Sequence, residues 1–125
     1  MLVKYKNDYK KIAMGLLSFI PDLKDFSRLE AEIKWYQEDD SRALYLWKNN
    51  NSDFTGIIGI EISDDIIMVR QIALSPSERN KDLYYEMLDE LANLYPEHKM
   101  MGSLDVAAII TKWEQRNEIQ QKQSN

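Results

Sequence analysis

The residues from Val69 to Leu88 change character twice. An apolar run ends in Ile72-Ala73-Leu74, the breakers Ser75-Pro76-Ser77 follow, and charged and apolar residues then alternate at helical spacing from Arg79 onward. A buried strand, a tight turn and an amphipathic helix are expected in that order. The start of such a helix offers free N–H groups and the positive end of a dipole, which suits a phosphate or pyrophosphate, and Arg79 and Lys81 add charge of the right sign. Asp82 opposes it: two like unit charges ~4 Å apart at an effective dielectric of ~20 repel by about 4 kcal/mol. Where Asp82 points therefore decides how well the turn could hold an anion.

Other chemistries are poorly supplied. The 125 residues contain no Cys, so thiolate metal sites, Cys nucleophiles and disulfides are excluded. His98 is the single histidine, follows Pro96 in a loop, and cannot build a multi-His metal site. The formal net charge is -5, which argues against nucleic acid as a partner. No stretch approaches the ~20 apolar residues of a membrane span, so a membrane role is not expected and the cytoplasm is the default location.

The elements that must position the motif can be read from hydrophobic period. Leu2 to Lys6 is a short strand, and Asn7 or Asp8 caps a helix with Ile12, Leu16, Leu17 and Ile20 inward until Pro21. A second helix begins near Asp25 to Ser27, with Ser27 and Glu30 spaced as a capping box and Phe26, Leu29, Ile33 and Tyr36 as its apolar stripe. Three strands follow, over 44–47, 54–62 and 66–74, joined by short polar turns, so an antiparallel meander is expected. Ile58, Ile60 and Ile62 share a face, as do Ile66, Met68, Ile72 and Leu74. A helix with Leu83, Met87, Leu91 and Leu94 inward then leads to a short parallel strand from Lys99, and Ser103 or Asp105 caps a last helix carrying Val106, Ile109, Ile110 and Trp113. Tyr84 and Tyr85 are adjacent, so one of the pair is expected inward. Residues 1–114 form one domain, and 115–125 are a helix extension or a Gln-rich tail. The order β-α-α-β-β-β-α-β-α describes an α/β (α+β) domain with a mixed, mostly antiparallel sheet flanked by helices.

This order, and the strand running through Ser-Pro into a helix that opens with Arg79-Asn80-Lys81-Asp82-Leu83-Tyr84, resembles the GNAT N-acetyltransferases, less the strand or strands that usually follow the last helix. Asp82 and Tyr84 stand where that family carries two small residues. Lys11 to Phe19 and Leu44 to Lys48 look like the matching segments of RibT-type proteins, short GNAT-like proteins encoded beside riboflavin-biosynthesis enzymes in bacteria. The resemblance implies an acetyl-CoA-dependent transfer to an amine acceptor, with Ile72, Ala73 and Leu74 pairing with the pantetheine arm and Arg79, Asn80, Lys81, Asp82, Leu83 and Tyr84 around the pyrophosphate. The family's carboxylate early in the third meander strand falls at Met68, so Glu61 on the neighbouring strand is the base candidate, beside its plainer reading as an exposed strand carboxylate. Arg70 and Gln71 could bind the acceptor or cover the sheet. A homodimer could complete the exposed sheet edge. The alternative is a non-catalytic GNAT-fold protein that binds a metabolite or a protein partner.

Overall fold

In the computed structural model, which describes residues 1–78 and 80–123, the elements run β1 (Leu2–Lys4), α1 (Lys10–Leu17), α2 (Phe26–Gln37), β2 (Arg42–Lys48), β3 (Phe54–Ile62), β4 (Ile66–Leu74), α3 (Lys81–Leu94), β5 (Lys99–Gly102) and α4 (Ala107–Gln123). The strands form one sheet in chain order, with every pair antiparallel except β4 and β5. The expected mixed α/β architecture is therefore present, and the short turns between β2, β3 and β4 dictate the meander. The crossover through α3 makes β5 parallel to β4.

Each face of the sheet buries its own core. Leu44, Leu46, Ile57 and Ala73 pack under α1 and α2 against Leu16, Leu17, Leu29 and Ile33. On the other face Ile58, Ile60, Ile67, Val69 and Leu74 meet Leu83, Met87, Leu88 and Leu91 of α3 and Ile110 and Trp113 of α4. None of the described helices is long and apolar enough to cross a membrane.

Several local expectations change. Asn7 and Asp8 lie in a 3-10 turn rather than capping α1, and the Asn7 carboxamide oxygen accepts from Gln37 Nε2 at 2.9 Å. The first turn of α2 already contains Ser27, so it cannot act as the cap, and Asp25 at that position makes no side-chain cap bond. Phe26 is 68% exposed, leaving Leu29, Ile33 and Tyr36 as the buried stripe. Both Tyr84 and Tyr85 pack in part against the α3 core, because a helix places neighbours 100° apart and α4 shelters the second ring.

The most consequential change is in β4. Gly59 pairs with Gln71 but Ile60 pairs with Val69, so Arg70 is an extra residue and the strand is bulged there. The bulge reverses the alternation: Ile67 and Val69, rather than Ile66 and Met68, share the buried face with Ile72 and Leu74. Arg70 and Gln71 are consequently both directed to the α2 side.

Candidate active site

Backbone bonding shows where the sheet opens. Ser63 N–H donates to Ile66 O, and by two-residue alternation Ile67 and Val69 turn their polar groups toward β5. Ser103 N–H accordingly donates to Val69 O at 2.9 Å, and Ser103 Oγ to Arg70 O at 3.1 Å. Past the bulge, Ser75 N–H donates to Thr55 O, so Ala73 and Gln71 bond across to β3 and Ile72 turns its N–H and C=O away from it. No described residue bonds those groups. There β5 has ended, and a cleft of about 620 Å³ opens between β4, the 19–23 loop, α2, α3 and the start of α4.

The sequence-derived residues fall unevenly around this cleft. Ile72, Ala73 and Tyr84 line it. Leu74 is fully buried, and the Leu83 side chain belongs to the core beneath α3. Asp82 is exposed and is not part of the lining, so its carboxylate does not project into the cleft. Asn80 is the cap of α3: its Oδ1 accepts the Leu83 N–H at 2.9 Å, which occupies one of the helix's free donors. Lys81 is the first helical residue. Arg79 lies outside the described residues.

Glu61 is held by Arg70, whose Nη1 donates to Oε1 at 2.6 Å, and it does not line the cleft. Arg70 itself lines the cleft and lies over the Trp35 ring at 4.8 Å, with Arg42 over the same ring at 4.1 Å. Beside this group the Tyr36 hydroxyl donates to Gln71 Oε1 at 2.7 Å, and Gln71 Nε2 donates to Glu32 Oε2 at 3.2 Å. Burial, reinforced by the Glu32 charge, raises the Tyr36 phenol well above its usual range, so it stays a donor. Glu32, Asp22 and Asp105 line the cleft, and the sequence marks none of them as a site residue, Asp105 being read there only as a helix cap. The spacing of Glu32 and Tyr36, four apart on α2, was the available signal, but it becomes meaningful only once the bulge brings Gln71 to that face.

The unpaired edge at Ile72 suits an extended amide-bearing chain such as pantetheine, which can both donate and accept there. Among the described residues the N–H groups of Lys81 and Asp82 also have no partner, as an anion at the helix start would require. The residues present thus fit acetyl-CoA along β4 and, less completely, at α3.

No protein-family model matches the chain. An uncharacterized N-acetyltransferase from the lysA 3' region of Bacillus methanolicus is 36% identical over 115 residues, covering 91% of this chain and 95% of that protein. Among solved structures, the AAC(6')-Iy complex with the bisubstrate analogue CoA-S-monomethyl-acetylneamine is similar with a TM-score of 0.69 at 11% identity, covering 94% of this chain and 87% of that one. Spermidine N-acetyltransferase from Vibrio cholerae in complex with CoA and spermine gives 0.63 at 14% identity, over 92% and 78%. The structural neighbours establish the fold, and the Bacillus relative, similar over nearly its whole length, establishes the family: this chain belongs to the GNAT-fold N-acetyltransferases.

Proposed function

We propose that this protein is a RibT-type, acetyl-CoA-dependent N-acetyltransferase of the cytoplasm, connected with riboflavin metabolism. The observation that carries the reading is the unpaired half of β4 facing the cleft, with Ile72 offering one donor and one acceptor. The RibT assignment rests on the likeness of Lys11 to Phe19 and Leu44 to Lys48. Neighbours of the same fold have been solved with CoA and with spermine or an aminoglycoside-derived analogue, which supports a CoA thioester and an amine as the reactants.

Bound acetyl-CoA supplies a thioester whose acyl carbon an amine can attack. The chain's own contribution is mainly positioning. Ile72 holds an extended chain by its backbone, Ala73 keeps the wall low beside it, and Tyr84 closes the α3 side. Lys81 and Asp82 offer N–H groups to an anion, and Arg79 and Asn80, which precede them in the sequence, are assigned to the same anion. Glu61 serves as base in this scheme through a bridging water, because Arg70 holds one of its oxygens and it does not line the cleft.

A second reading, a catalytically silent GNAT-fold protein that binds a metabolite or protein partner, is favoured by Asn80 occupying the Leu83 N–H and by Tyr84 filling space where the family has a small residue. Calorimetric titration with acetyl-CoA, with CoA and a flavin as controls, separates the two. Saturable micromolar binding of acetyl-CoA is expected; no binding at millimolar concentration would leave only the second reading. A homodimer completing the β5 edge belongs to the same proposal, and a monomeric mass in solution would remove it.

A further inference from the structure

We infer that Glu32 is the residue that receives the acceptor's ammonium, held in place by a side-chain chain running from Gly59 through Tyr36 and Gln71. The inference deepens the acetyltransferase reading and rests on it for the word acceptor; the binding it describes can be measured without acetyl-CoA.

The chain begins with a space. A Cβ at Gly59 would overlap the hydroxyl and ring of Tyr36, so only glycine lets that ring, 4% exposed, lie across β3 and reach β4. Gly59 is also the partner of Gln71 in the ladder, which sets the Tyr36 hydroxyl directly against the Gln71 carboxamide. The orientation of that amide is then settled by chemistry. Its oxygen cannot face the Glu32 carboxylate, so Nε2 donates to Glu32 and Oε1 accepts from Tyr36, whose phenol remains protonated. This arrangement ties Oε2 of Glu32. Its Oε1 takes no bond from any described residue, and the side chain lines the cleft.

The charge beside it is mostly negative. Among the described residues, the charged ones lining the cleft are Asp22, Glu32, Arg70 and Asp105, and Arg70 is paired with Glu61 at 2.6 Å. The three carboxylates that remain favour a cation at the Glu32 side of the cleft. Phe19 and Ile20 also line the cleft and suit an apolar group on the same ligand. The acceptor class is therefore a protonated primary amine with an apolar shoulder. Glu32 binds it, and Gln71, Tyr36 and Gly59 are positioning residues that act through Glu32.

The test uses benzylammonium as the probe and benzyl alcohol as its neutral counterpart, followed through the side-chain amide resonances of Gln71 in labelled full-length protein. Benzylammonium should shift those resonances saturably in the millimolar range, at least about tenfold more tightly than benzyl alcohol, in keeping with one charge-assisted hydrogen bond. E32Q should abolish the difference between the two probes while leaving the fold intact. Y36F should reduce the preference severalfold without removing it, an effect on charge selectivity that loss of packing alone would not produce. Equal affinity of the two probes, absence of binding by either, or a preference that survives in E32Q would overturn the inference. Because acetyl-CoA is absent, these outcomes are independent of the calorimetric test above.

Discussion

The two halves of β4 do different work. From Ile66 to Val69 the strand is paired on both sides, its side chains alternate cleanly into the α3 core, and its outward groups are consumed by β5. From Gln71 to Ala73 it is paired on one side only, the side chains of Arg70 and Gln71 are both directed to the α2 face, and the backbone of Ile72 faces a cleft. One inserted residue at the bulge separates them. The difference teaches that the site owes its existence to where the sheet stops being complete: the first half fixes the strand rigidly enough that the second can leave hydrogen-bonding groups unspent.

The comparison can be broken from either half. Val69→Asp should have the largest effect, since it buries an unpaired charge at a fully buried position in the paired half; a loss of about 4 kcal/mol or more is expected in denaturant unfolding. A proline pair sharpens the contrast. Ala73→Pro removes a ladder donor to β3 and should cost about 2–3 kcal/mol, by stranding the Ile57 carbonyl. Ile72→Pro removes an outward donor, so its stability loss should be nearer ~1 kcal/mol from the trimmed side chain, while acetyl-CoA affinity falls about tenfold.

Gly59→Ala tests the support behind the unpaired half. Displacing Tyr36 should cost about 2 kcal/mol and also reduce the preference for benzylammonium over benzyl alcohol severalfold, as in Y36F. The smallest expected effect is at Asn80. Asn80→Ala should lower stability by about 1 kcal/mol through loss of the helix cap, yet it frees the Leu83 N–H, so acetyl-CoA affinity should hold or rise in the same calorimetric assay. A fall in affinity would mean that the Asn80 side chain itself contributes to binding.

Much of the fold was legible because period reports burial directly. The switch from the helical spacing of Leu29, Ile33 and Tyr36 to the alternation around Ile58 and Ile60 locates the meander, and the Ser75-Pro76 breakers locate the start of the crossover. The bulge was not legible, because one extra residue leaves composition unchanged and alternation read straight through Arg70 puts Ile66 and Met68 on the wrong face. Helix starts misled for a similar reason: Ser27 and Glu30 have capping spacing, but Pro21 and Leu23 already hold the preceding turn and α2 begins at Phe26.

The candidate site divides along the same line. Ile72, Ala73 and Tyr84 belong to one strand-turn-helix stretch, and the resemblance of that stretch to the GNAT motif is what points to them. Glu32 could not, since an isolated carboxylate on an amphipathic helix reads as solvated surface, and it gains meaning only from Gln71 on the other side of the bulge. Sites assembled from side chains far apart in the chain carry no local signature.

Amide hydrogen exchange at Ile72, with and without acetyl-CoA, tests the central claim most directly. In the free protein the Ile72 amide should exchange much faster than those of Gln71 and Ala73 on either side, and acetyl-CoA should slow it specifically. An Ile72 amide already as protected as its neighbours, or one that acetyl-CoA leaves unchanged while binding elsewhere, would contradict the account.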